Sequence, residues 1–249
     1  MLFWFINCKT CYLVYNELMI ICPAQPFDIP AIMNIERQSF IPAIQEKKRV
    51  FEKRLKIFPE GFLALADCSD EIVLKNKVAL VCGYLCTERW DSLPDFEKIC
   101  ENSSELTEKA AEKERKNALK RIEKRFSLGH NPLLTHKTDG AYLYVSSFAL
   151  LKDYRGKGLG EKFFKNSVAA LCSAMTNIKK VVVLVSSEWK NALRIYNSLG
   201  FEKVFTLEGF FPTIQKKVNS DGIIMTADAD FFRNVEFSSN ENDLSGIRI

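Results

Sequence analysis

The densest run of chemistry-bearing residues is Arg155-Gly156-Lys157-Gly158-Leu159-Gly160, an R-x-x-G-x-G turn set between a long apolar stretch and an amphipathic one. Glycines free of Cβ let several main-chain N–H groups converge on an anion, and a helix opening at the turn adds the positive end of its dipole. The chemistry expected of such a turn is the cradling of a diphosphate. It is not a P-loop, because no G-K-[ST] follows at the required spacing, and it lacks the G-x-G-x-x-G order of a dinucleotide fold. Taken alone, the six residues could equally be a glycine-rich helix entry on a plain α/β domain.

Other reactive side chains form weaker patterns. Eight cysteines, at positions 8, 11, 22, 68, 82, 86, 100 and 172, are scattered through apolar segments, so most are expected to be buried thiols and not a disulfide framework. Cys8 and Cys11 make a C-x-x-C without a second pair at zinc-ribbon spacing, and the two histidines, His130 and His136, are far away in sequence. Chance spacing is the expectation there, with no metal site. Cys172 reads as packing.

The elements that must position the turn follow from periodicity. Ile20–Ala24 reads as a first strand, and Asp28 before Ile29-Pro30 marks a helix start with an N-cap oxygen and a proline in the first turn. Helices are expected over about 29–40 and 44–58, the second carrying Val50, Phe51, Leu55 and Phe58 at helical spacing. Phe62–Ala66 and Val78–Leu85 read as a hairpin of buried strands. From Asp95 to Arg125 the composition turns to Glu, Lys, Arg and Ala, which predicts one inserted, solvated, charged helix over the domain. Ala141–Leu151 is a long strand leading into the glycine turn. After the turn, Phe164, Val168, Leu171, Cys172 and Met175 form one helical stripe. Val181–Val185 is a strand covered on both faces, a helix runs from Trp189 to Leu199, and strands near Val204 and 222–226 complete the core. The tail after Asp230 is expected to be peripheral.

Whole-chain numbers set wider bounds. With 249 residues, 47% hydrophobic and 27% charged, one domain with a full core is expected. A net charge of +4 is a mild excess that by itself says nothing about partners. The first 22 residues are apolar, yet Asn7, Lys9, Asn16 and Glu17 interrupt them, short of the roughly 20 apolar residues of a spanning helix. No basic residues precede them and no small-residue cleavage site follows, against a signal peptide. Residues 1–18 read as an extension of unknown role, 19–227 as the domain with an insertion at about 95–127, and 228–249 as a tail. A cytoplasmic monomer or homodimer is expected.

The strand, the R-x-x-G-x-G turn and Asn191-Ala192-Leu193-Arg194-Ile195-Tyr196-Asn197-Ser198-Leu199-Gly200-Phe201 together resemble the GNAT acyltransferases, over roughly Met19 to Ala227. The resemblance implies an α/β (α+β) fold: a mixed central sheet of about six to seven strands, splayed between its two middle strands after a bulge, with helices on both faces. It implies acetyl-CoA as co-substrate and no metal. Carried over by position, Phe148, Ala149 and Leu150 offer main-chain hydrogen bonds to pantetheine. Gly156, Lys157, Gly158, Leu159, Gly160 and Glu161 hold the pyrophosphate, Arg155 adds positive charge and Asn191 contacts the arm. Tyr196 falls on the family's N-x-x-x-x-Y-x-x-x-G-F tyrosine, the general acid for the leaving thiolate, since a positioned O–H stabilises an expelled thiolate better than excluded water does. The plain alternative is a core tyrosine.

Ile35–Ile41, Phe58-Pro59-Glu60 and Leu85–Asp91 are also similar to segments of the arylalkylamine N-acetyltransferases, which carry two histidines where this chain has Tyr144 and Ser146. An amine nucleophile must lose a proton. The candidates to accept it are water held by Tyr144 and Ser146, Glu36 or Glu60, and His130 or His136. The expected function is acetyl transfer to a small primary amine by direct attack, with that small-molecule amine as the expected partner and no nucleic acid or membrane. The alternatives are a protein lysine or N-terminal acceptor, or a CoA-binding protein without activity. An aromatic-lined pocket near Phe40, Phe62 and Trp90 would favour the small amine, and an open peptide groove the protein.

Overall fold

The computed structural model describes residues 12–15, 19–69, 79–96, 99, 108–213 and 218–235. Their strands are β1 (Tyr12–Tyr15), β2 (Met19–Pro23), β3 (Phe62–Asp67), β4 (Leu80–Trp90), β5 (Tyr142–Leu150), β6 (Lys180–Ser186), β7 (Glu202–Phe211) and β8 (Ser220–Asp228). They form one eight-stranded sheet in the order β1-β2-β3-β4-β5-β6-β8-β7. Every neighbouring pair is antiparallel except β5 and β6, which run parallel. The helices are α1 (Ile29–Ser39), α2 (Lys48–Ile57), α3 (Glu108–Phe126), α4 (Pro132–Thr135), α5 (Leu159–Ala174), α6 (Lys190–Ser198) and α7 (Ala229–Arg233). This is the mixed, splayed sheet of the GNAT fold. The strand beyond the expected six to seven is β1, which lies within the N-terminal extension and pairs with β2. The Cys8–Cys11 pair lies outside the described residues.

Alternation along β6 shows why both faces need helices. Val181, Val183 and Val185 join the cluster beneath α5, with Leu143, Val145, Phe163, Phe164 and Val168. Val182 points the other way, into a cluster with Trp90, Tyr144, Ile122 and Phe126. On that second face α1 buries Ile29, Ile32 and Ile35 with Phe51 of α2 and Tyr84 of β4. Each fully buried side chain of this size contributes about 1.5–3 kcal/mol, so the sheet is held rigidly from both sides.

Four local expectations change. Asp28 does not cap α1; its carboxylate accepts the Gln25 N–H at 2.8 Å and closes the 3₁₀ turn Pro26–Asp28 instead. Helix α2 begins at Lys48 and not near Ile44, because the Glu46 N–H is drawn to the Glu36 carboxylate (2.7 Å) and the Gln45 amide to the Phe40 carbonyl (2.7 Å). The inserted α3 is exposed along most of its length, but Ile122 and Phe126 are 2% and 1% exposed. It is therefore a cover over β4 and β5 as well as a solvated face. The described start of the tail, 229–235, is not peripheral: Ala229 and Phe232 of α7 are fully buried in the cluster beneath α5.

Candidate functional site

The middle of the sheet opens. β5 pairs with β6 only from Tyr142 to Val145, opposite Lys180 to Val183. Beyond that point β5 keeps its ladder with β4 to Leu150, through a bulge between Cys86 and Thr87 that leaves Ser146 without an opposite residue. The stretch 146–150 therefore has one bonded edge and one edge facing a gap. Tyr84 lies opposite Ala149 and the Leu151 N–H donates to the Cys82 carbonyl at 2.8 Å. By alternation, the main-chain groups of Ala149 serve the ladder and those of Phe148 and Leu150 face the gap. The Leu150 carbonyl is already engaged, accepting from Arg155 Nε (2.9 Å) and Nη2 (2.7 Å).

The glycine turn follows directly. Gly156 and Gly158 have φ of +76° and +73°, and a Cβ on either would meet nothing within 4 Å. The left-handed backbone requires glycine there, while the space in front stays open. Among the described residues, no N–H from Gly156 to Glu161 donates to another group; the first helical bond of α5 is Lys162 to Gly158, at 3.3 Å. Unpaired donors at a solvent-facing helix N-terminus suit an anionic group. Arg155 is exposed, but its guanidinium turns back to Leu150 and to Ser39 Oγ (2.7 Å). Lys157 is exposed, and Glu161 accepts from Ser198 Oγ of α6 at 3.3 Å.

Helix α6 stands beside that turn. Tyr196 is 7% exposed and packs on Phe164 of α5 at 5.2 Å and on Phe201 at 5.4 Å. Its hydroxyl has no hydrogen-bond partner among the described residues, and burial pushes its pKa upward. It is thus a neutral O–H with its proton uncommitted. Asn191, in the first turn of α6, is exposed.

Tyr144 and Ser146 are not brought together. The Tyr144 ring stacks on Trp90 at 4.2 Å and meets Phe126 edge-on at 5.4 Å, while Ser146 Oγ donates to the Cys86 carbonyl at 3.3 Å. Another set converges instead. The Tyr84 hydroxyl donates to Glu36 Oε2 and shares a 2.9 Å hydrogen bond with Ser147 Oγ. Burial raises the Glu36 pKa to about 7 against the pull of the Glu46 N–H and the Tyr84 hydroxyl. His130 is bound elsewhere: its Nε2 lies 2.8 Å from Glu88, in a buried ion cluster where Arg54 is 3.5 Å from Glu88 and 3.0 Å from Glu46. Burial pushes the Glu88 carboxyl up, but the bond and charge of His130 together with Arg54 outweigh it and hold the group at about 2. His136 Nδ1 accepts the Arg89 N–H at 3.2 Å, and Glu60 is exposed. Cys172 is fully buried, and its thiol is pushed up to about 12.

A groove of about 340 Å3 lies past the end of β6, between the chain leaving α1 and the ends of β7 and β8. Phe40, Trp189 and Phe211 form its aromatic wall, with ring centres 5.5 Å and 5.0 Å apart in turn. Phe62 and Trp90, expected with Phe40, are buried in the core at 1% and 0% exposure. Trp189 and Phe211 were not readable as a pair from sequence because they lie on separate elements. Ser147 and Tyr84 were hidden too: a bulge shifts which serine reaches which face, and no periodicity announces it.

The matching family model is that of the acetyltransferase (GNAT) domain, over residues 84–216, more than half of the chain. No curated protein matches by sequence. Among solved structures, the chain is similar to the loading GNATL domain of CurA from Lyngbya majuscula, at 13% identity and a TM-score of 0.59, covering 85% of this chain and 98% of that one. It is also similar to Arabidopsis thaliana NAA60, solved with acetyl-CoA, at 14% identity and 0.56, covering 85% and 99%. A third is the ribosomal-protein-S18-alanine N-acetyltransferase of Escherichia coli, at 15% identity and 0.52, covering 85% and 94%.

Proposed function

The chain belongs to the acetyltransferase (GNAT) domain family, and from that premise we propose that this acyltransferase carries acetyl from acetyl-CoA to a primary amine seated in the groove beside Phe40 and Trp189. Acetyl-CoA supplies an activated acetyl thioester. The N–H groups of 156–161 hold its pyrophosphate, which their lack of partners and the open space before Gly156 and Gly158 support. The gap-facing main chain of Phe148 and the N–H of Leu150 line the pantetheine path, and the main-chain groups of Ala149 are left to the ladder with β4. Tyr196 donates its proton to the departing thiolate. Its uncommitted hydroxyl and raised pKa suit a donor that stays neutral until the sulfur needs it.

The observation that carries the acceptor reading is the aromatic wall of Phe40, Trp189 and Phe211. Such a wall suits an amine on an aromatic or alkyl group, in keeping with the arylalkylamine likeness of the sequence. The second reading is the N-terminal amine or a lysine of a polypeptide. It is favoured by the position of the groove between two chain edges, and proteins of similar fold include a ribosomal-protein N-acetyltransferase. Calorimetry with acetyl-CoA, then a thiol-release assay on arylalkylamines, polyamines and peptides with free N-termini or lysines, decides between them. Turnover confined to peptides replaces the first reading by the second, and no turnover with any amine removes both.

A further inference from the structure

We propose that Ser147, Tyr84 and Glu36 form a proton relay that takes the ammonium proton from the acceptor amine, Ser147 being its outer end and Glu36 its terminus. The relay rests on the acetyl-transfer reading above.

Hydrogen counting fixes its direction. A phenol owns one O–H, and that of Tyr84 is committed to Glu36 Oε2. In the 2.9 Å contact between Tyr84 and Ser147 the serine must therefore be the donor. With its own hydrogen pointing inward, Ser147 Oγ presents lone pairs outward. The chain is wet at one end only: Tyr84 and Glu36 are 0% and 1% exposed, while Ser147 is half-buried. Ser147 also occupies the position just past the bulge, on the part of β5 that β6 no longer covers.

The proton balance closes. The ammonium gives one proton to Ser147 Oγ, directly or through one water. The serine hydrogen passes to the Tyr84 oxygen, and the Tyr84 hydrogen passes to the Glu36 carboxylate. The amine is left neutral and Glu36 becomes a carboxylic acid. Tyr84 never ionises, which agrees with a pKa that burial and the adjacent Glu36 raise well above that of an ordinary phenol. Before the next turnover Glu36 returns its proton to solvent along the same path, and the net product is one proton per amide formed.

The terminus is tuned for this. Glu36 sits in the last turns of α1, whose carbonyl at the same residue accepts the Phe40 N–H at 3.0 Å, so it is anchored to the groove wall. The groups bearing on it are Glu46 from the loop, which raises its pKa by charge and lowers it through its N–H, Arg54 of α2, which lowers it, and Tyr84 of β4, with Cys86 of β4 close enough to sense it. Burial outweighs the rest and sets the value at about 7, where a carboxylate both accepts and releases a proton readily.

The test is kcat/KM for the amine as a function of pH in the full-length wild type and in Tyr84→Phe, Ser147→Ala and Glu36→Gln, with the acetyl-CoA Kd as a check on folding. For an alkylamine at pH 7 each variant is expected to lose about 100-fold in kcat/KM, with the acetyl-CoA Kd unchanged. The loss should vanish with an amine of low pKa, already neutral at that pH, because no proton then needs removing. A structural defect would not be rescued by the substrate. If wild type turns over and Tyr84→Phe and Ser147→Ala match it with the alkylamine, or lose equally with both amines, the relay is wrong while acetyl transfer stands. If wild type turns over no amine, both fail. Should Glu36→Gln not fold, the other two variants decide the matter.

Discussion

Replacing Glu36 by glutamine should stabilise the protein at neutral pH, and by an amount the structure specifies. The carboxyl ordinarily titrates at 4.5 and is raised to about 7 in the fold, chiefly by burial. A carboxyl raised on folding binds its proton more tightly in the native state, so its contribution to stability is intact below 4.5 and is lost as pH climbs through about 7. The full interval corresponds to about 3 kcal/mol, withdrawn from the wild type above neutrality. Glutamine keeps the local geometry. Its oxygen can accept the Glu46 N–H, its amide can donate to the Tyr84 oxygen, and the Tyr84 hydrogen can turn to Ser147. The assay is urea unfolding of both proteins at pH 5, 6, 7 and 8, where titrations common to both cancel. The variant should be about 3 kcal/mol more stable at pH 8, about 6–12 °C in Tm, and only about 1 kcal/mol more stable at pH 5. A difference that does not change with pH, or a wild type that is the more stable at pH 8, would refute the argument. A stabilising change that lowers turnover is the expected signature of a group retained for chemistry.

Tyr196→Phe should cut kcat about 100-fold in a thiol-release assay while the acetyl-CoA Kd moves less than about threefold; unchanged turnover excludes the hydroxyl as the proton donor. Gly158→Ala forces a Cβ onto a backbone at φ +73°, at about 1–2 kcal/mol, and calorimetry should show acetyl-CoA binding weakened about tenfold. Arg54→Met leaves the buried Glu46 carboxylate without its cation and Glu88 with His130 alone, and should cost about 3–5 kcal/mol in urea unfolding; a loss below about 1 kcal/mol would mean the cluster relaxes.

Elements whose causes are local were legible in the residues. The unbroken apolar run Val181–Val185 and the stripe Phe164, Val168, Leu171, Cys172 specify a doubly covered strand and the helix laid on it. The glycine turn is legible because left-handed φ leaves almost no other residue type. What depends on distant partners was not. The start of α2 is set by a hydrogen bond from Glu46 back to Glu36 across ten residues, and Ile122 and Phe126 look like two apolar interruptions of a charged helix until Trp90 and Tyr144 are placed beneath them. The aromatic wall needed three elements to meet. Glu36 was one of several candidate acceptors by type alone, and only its burial and its partner Tyr84 single it out.

The Arg155 guanidinium ties three places together, holding the Leu150 carbonyl at the end of β5 and the Ser39 hydroxyl at the end of α1 from within the glycine turn. Ser39 in turn precedes Phe40. On the proposed assignment, one side chain thus joins the turn that would hold the pyrophosphate to the rim that would seat the amine, and occupancy of the first would bear on the shape of the second.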